Sequence, residues 1–78
     1  MLQSGNIAIA RPLLERAAGQ GSAEAAALLG ASFDPGWLSR AGAVGITGDA
    51  TQAAHWYAQA HRMGASDVER IVAGVIRR

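Results

Sequence analysis

The chain matches itself when it is slid along by 43 residues. Gly5 then falls on Gly48, Ala10 on Ala53, Ala17 on Ala60 and Gly21 on Gly64, while Asn6 meets Asp49. The bulky pairs coincide as well, Leu13-Leu14 with Trp56-Tyr57 and Leu28-Leu29 with Ile71-Val72. An alanine-rich chain yields some identities by chance, but it is far less apt to align its glycines and its bulky pairs together. A unit used twice constrains the fold strongly, because its apolar face must be covered by its neighbour.

Each unit reads as two helices. In the second, Asp49 is placed to cap "ATQAAHWYAQAHRM" by accepting from free backbone N–H groups. Arg62 falls in the last turn, where positive charge suits the helix dipole, and Gly64 follows, suited to a left-handed helix end. Ser66 and Glu69 form a capping box ahead of "DVERIVAGVIRR", which puts Val68, Ile71, Val72, Val75 and Ile76 on one face. Gly74 either weakens that helix by about 1 kcal/mol or admits a close neighbour.

The first unit repeats the plan. Asn6 is expected to cap "IAIARPLLERAAGQ", Gly21 to end it, and Ser22 to cap "AEAAALLGASF". Pro12 lacks an N–H and crowds the preceding turn, so a kink or a start near Arg11 is expected. Between the units, Asp34-Pro35 has the form of a cap and a first helical residue, giving a short helix over "PGWLSRA" with Trp37 and Leu38 tucked under the helix pairs. Gly42, Gly45 and Gly48 punctuate the rest as loop. The organisation expected is one all-α domain over 1–78, with repeat 1 at about 5–33, a connector at about 34–47 and repeat 2 at about 48–78.

The second unit reads Ala53-x-x-Trp56-Tyr57-x-x-Ala60-x-x-x-Gly64. This order resembles the signature of Sel-one-like repeats, relatives of tetratricopeptide repeats. The first unit matches with Ala10, Leu13, Leu14, Ala17, Gly21, Ala25, Leu29 and Gly30. It departs in having Leu-Leu where the family commonly has aromatics. The long "ASFDPGWLSRAGAVGITGD" also replaces the usual loop, and Val68, Val72 and Ala73 stand where alanine, leucine and glycine are usual. The resemblance implies a short α-solenoid of two stacked helix-turn-helix repeats that serves as an adaptor for protein partners, not an enzyme.

With 78 residues and half of them hydrophobic, much of the apolar content is alanine, which buries little area at roughly 25 cal/mol per Å². The large side chains are therefore expected to supply most of the core: Leu13, Leu14, Leu28, Leu29, Phe33, Trp37, Trp56, Tyr57, Ile71, Val72, Val75 and Ile76. Two repeats are few for a stacked array, so the chain is expected to belong to a longer one, to be capped by its last helix, or to self-associate through its ends. The net charge of +1 argues against nucleic acid as a partner, and no apolar run reaches the roughly 18 residues of a membrane span. "MLQSGN" lacks the basic start and apolar stretch of a signal peptide.

Chemical motifs are weak. His55 and His61 are six residues apart, which at about 100° per residue points them to separate sides of a helix, so they do not share a metal ion. There is no cysteine for a thiolate site or a disulfide. No G-x-S-x-G elbow is present, and "GAVGITGD" lacks the lysine and hydroxyl residue of a P-loop. No catalytic residue, metal or cofactor is expected. The stronger candidate is a surface. Gln52, His55, Gln59 and Arg62 share one face of their helix, away from the Trp56-Tyr57 pair, and offer donors suited to a peptide backbone or a carboxylate. Repeat 1 has Ile9, Pro12, Arg16 and Gly19 at matching places, so Arg16 joins the candidate site. First helices line the concave surface in solenoids of the resembled kind. Three readings stay open: a module binding a protein or peptide, a self-associating structural domain, and a regulatory piece of a larger protein.

Overall fold

The computed structural model describes residues 4–43, 45–65, 68 and 70. Within them lie four α-helices and no strand: α1 (Ser4–Gly19), α2 (Ala23–Phe33), α3 (Pro35–Ala41) and α4 (Ala50–Arg62). The capping box at 66–69 and the apolar row at 71–76 lie outside the described residues, except that Val68 is helical and buried.

The helices start where short polar side chains stand in for the missing turn. Ser22 Oγ accepts from the Ala25 N–H at 3.1 Å, and Glu24 adds negative charge to the first turn of α2. Asp49 Oδ1 accepts from the N–H groups of Thr51 (3.0 Å) and Gln52 (3.2 Å) at the start of α4. Asp34 works in both directions. Its own N–H donates to the Ala31 carbonyl at the end of α2, while Oδ1 accepts from the Gly36 N–H at 2.9 Å at the start of α3. Pro35 follows at the first helical position, where a missing N–H costs nothing.

The ends of α1 and α4 are copies at the 43-residue offset. Gly21 and Gly64 have φ of +103° and +104°, a region that side chains other than glycine's disfavour. The Ser22 N–H reaches back to the Ala17 carbonyl at 3.1 Å, and the Ala65 N–H to the Ala60 carbonyl at 3.0 Å. In each the glycine N–H bonds the residue three before it, Gly21 to Ala18 and Gly64 to His61. Both ends have the six-to-one bond of a Schellman motif.

The helix starts are not copies. Asn6 is no cap: α1 is already helical at Ser4, two residues before it. Asp49 is held in extended backbone by its N–H, which donates to the Phe33 carbonyl at 2.6 Å. That bond exists because the connector returns to its point of departure. Nor does α1 start late at Arg11, since it runs unbroken through Pro12. Pro12 and Ala8 are both exposed, so the carbonyl that proline leaves without a donor faces water.

The packing is built on α2, which lies against both α1 and α4 and also touches α3. A helix with neighbours on several sides must carry small side chains if their axes are to come within 8–10 Å. Ala26, Ala27 and Ala31 of α2 are accordingly fully buried, as is Ala60 of α4. This corrects the expected core. Among the described residues alanine fills its centre, and the bulky ones that are buried are Leu29, Trp37 and Leu38, with Ile7 and Val68; Ile71, Val72, Val75 and Ile76 lie outside the described residues. Leu14, Leu28, Trp56 and Tyr57 are half-buried against it, whereas Leu13 is 62% exposed.

Arg11 fastens α1 to the end of α2 and to the connector. Its guanidinium donates to the Ser32 carbonyl, to Ser32 Oγ at 3.3 Å and to the Thr47 carbonyl at 3.4 Å, and lies 4.0 Å from the centroid of the Phe33 ring. The buried Ser32 hydroxyl donates in turn to the Leu29 carbonyl at 2.6 Å. Partial burial lowers the Arg11 pKa from its ordinary value. Arg11→Met keeps the apolar stem but removes these bonds and the cation–π contact. It is expected to cost about 2 kcal/mol, measured as a shifted urea midpoint at unchanged slope.

Candidate partner-binding surface

Packing decides which side of α4 is left for a partner. Tyr57 lies on Gly30 of α2, where a Cβ would stand 2.7 Å from the ring. Its hydroxyl donates to Asp34 Oδ2 at 2.9 Å. Burial, reinforced by that carboxylate, pushes the phenol well above its ordinary range, so Tyr57 is a neutral structural donor at physiological pH. Ala53 and Ala60 are buried and Trp56 is half-buried. With this side covered, the opposite one is open.

Gln52, His55 and Arg62 are exposed and Gln59 is half-exposed. Asp49 sets the start of this stripe and the Gly64 turn sets its end. Within it Arg62 donates from Nε (2.9 Å) and from Nη2 to the same oxygen, Gln59 Oε1. The pair leaves the Gln59 amide N–H groups and the outer guanidinium N–H groups as donors. His55 is set edge-on against Trp56, with ring centroids 5.0 Å apart and an 80° angle between planes. It therefore bridges the packed side and the open side.

Arg16 is exposed in the last turn of α1. Among the described residues no hydrogen bond or ion pair joins it to the α4 stripe. The structure thus brings Gln59 and Arg62 together, places Gln52 and His55 along the same helix, and leaves Arg16 on another. His61 is exposed, and among the described residues no group of three or more His, Cys, Asp or Glu could hold a metal ion. Among them, too, no helix is long and apolar enough to cross a membrane.

The exposure of Leu13 departs from the expected core, whereas Ile9 stands on the face where the sequence placed it. Ile9 and Leu13 are large hydrophobics at 68% and 62% exposure. The signal for them was their one-turn spacing beside Pro12, on the α1 face that matches the α4 stripe and its border. Compared with known proteins, the chain is matched by no family model, no curated protein and no solved structure.

Proposed function

We propose that this chain is a helical-repeat interaction module, a short solenoid of the Sel-one-like and tetratricopeptide kind, that holds a protein or peptide on the outer face of α4. The observation that carries the reading is the division of α4 into a packed side and an open side, with Gln59 and Arg62 preorganised on the open one. The matching ends of α1 and α4, alike in glycine φ (+103° and +104°) and in bond pattern, support a repeated unit. A fixed guanidinium beside a free amide suits a backbone carbonyl or a carboxylate, and less side-chain entropy is lost on binding because the pair is already ordered.

Partners captured by the intact chain provide the test. Changing Gln59→Ala and Arg62→Ala together is expected to weaken the principal partner by at least about 10-fold, or about 1.4 kcal/mol, with helicity unchanged by circular dichroism. Unchanged affinity would count against the α4 face. A second reading, self-association, is favoured by the exposed Ile9 and Leu13 and concerns a different helix.

A further inference from the structure

The open side of α4 is rich in donors and holds no carboxylate. From Ala50 to Ser66 the sequence has neither Asp nor Glu. Thr51, Gln52, His55, His61 and Arg62 are exposed along the helix, and Gln59 is half-exposed. Both bonds that tie Arg62 to Gln59 end on Oε1, the acceptor of that amide. What the pair still presents are N–H groups. Nor is the arginine's charge met within its own helix. Ala58 and Gln59 stand four and three residues before it, and Ala65 stands three after. Other arginines are placed differently. Arg11 is engaged at the end of α2. Arg40 has a carboxylate close by, since a Cβ on Gly36 would stand 3.4 Å from Asp34 Oδ1 and 3.5 Å from Arg40 Nη1.

We propose that the segment held on α4 is acidic, with Asp or Glu side chains meeting His55 and the Gln59–Arg62 pair; this rests on the open side of α4 being the docking face. A carboxylate is acceptor-only and carries the opposite charge, so it matches a pair that presents donors alone. A backbone amide fits less well, because it brings an N–H for which the pair has no acceptor left. The length of the stripe selects side chains over a chain terminus. Gln52 to Arg62 spans about 15 Å at 1.5 Å per residue, and a single terminal carboxylate meets only one end of it. An extended segment with carboxylates at alternate positions sets them about 7 Å apart on one face. That is close to one turn of α4, the step from His55 to Gln59. The exposed Ala54 and Ala58 beside these donors end in a methyl group, so they leave room for such a segment. The complementarity is local to this face. Glu15 and Glu24 belong to α1 and α2, and Asp49 is turned to the first N–H groups of α4.

The test is a heteronuclear NMR titration of the 78-residue chain with a short peptide of alternating Glu and Ala, acetylated and amidated at its ends. At low salt the dissociation constant is expected on the order of 500 µM, with shifts confined to α4 and to the side-chain N–H groups of Gln59 and Arg62. The affinity should fall about 5-fold in half-molar salt, because exposed charges are screened there. The same peptide with Gln for Glu should bind at least about 5-fold more weakly. Gln59→Glu puts a carboxylate three residues before Arg62 and meets its charge from within, so it should weaken the Glu peptide by a similar factor. Helicity and melting should be unchanged, since the side chain replaced is half-exposed. Absence of shifts at about 5 mM peptide overturns the proposal, as do shifts centred on another helix or equal binding of the Glu and Gln peptides. If the Gln peptide binds once its C-terminus is left free, the carboxylate source is a chain end and the side-chain assignment is overturned. A captured partner that is weakened by the Gln59→Ala and Arg62→Ala pair, yet is indifferent to half-molar salt, leaves the α4 face standing and overturns the acidic segment alone.

Discussion

Trp37→Ala is expected to remove a large share of the chain's folding stability and to lower its melting temperature sharply. Trp37 is 4% exposed and is the largest side chain in the described core, whose centre is otherwise mostly alanine. Truncating it removes about 3–5 kcal/mol, as transfer energy and a cavity that alanine neighbours are too short to fill. A chain of 78 residues is expected to have only about 4–12 kcal/mol in total, at roughly 0.05–0.15 kcal/mol per residue. Far-ultraviolet circular dichroism with a thermal melt measures the loss. Trp37→Phe should recover most of the loss, and a melt of the alanine variant that overlays the parent would show that α3 is dispensable to the core.

Gly30→Val is expected to destabilise by on the order of 3 kcal/mol, against the helix propensity it gains. Any Cβ at this position meets Tyr57 Cδ1 at 2.7 Å and Cε1 at 2.9 Å. The ring cannot simply swing aside, because its hydroxyl is tied to Asp34 at 2.9 Å. The cost should therefore depend on Tyr57. In a Tyr57→Ala background the same substitution should cost less than half as much, giving a coupling of about 2 kcal/mol in a double-mutant cycle. Equal costs in both backgrounds would show that Gly30 answers to its backbone and not to the α2–α4 contact.

The parts of the fold legible in the sequence were those decided by local chemistry. Asp34-Pro35 specified the connector helix, Ser22 and Asp49 specified two caps, and Gly21 and Gly64 marked two turns, because each acts on groups within a few residues of itself. Residues whose fate depends on a distant neighbour were not legible. Leu13 has the same helical phase as Trp56, yet it is 62% exposed, and among the described residues no helix lies over it. The sequence marks Arg11 only as a place for the first helix to start, and its partners are 21 to 36 positions away. The alanine core was discounted on the area of each residue, when its value lies in letting α2 approach two helices at once. Of the candidate site, periodicity gave the face shared by Gln52, His55, Gln59 and Arg62. The Gln59–Arg62 bond needed side-chain geometry, and Arg16 needed the relation between two helices.

The 2.6 Å bond from the Asp49 N–H to the Phe33 carbonyl brings the chain back to the point where α2 ended. Gly48 helps, since a Cβ there would meet Pro35 Cγ at 2.8 Å. In effect α4 is spliced directly onto α2, and the intervening stretch is a detour whose length does not enter the spacing of the helices. Extra residues inserted near the exposed Gly45 would lengthen only that detour, at about 0.6 kcal/mol for each doubling of a loop. The segment is therefore a natural graft point, where new sequence can be carried on the surface without disturbing the helix pairs beneath it.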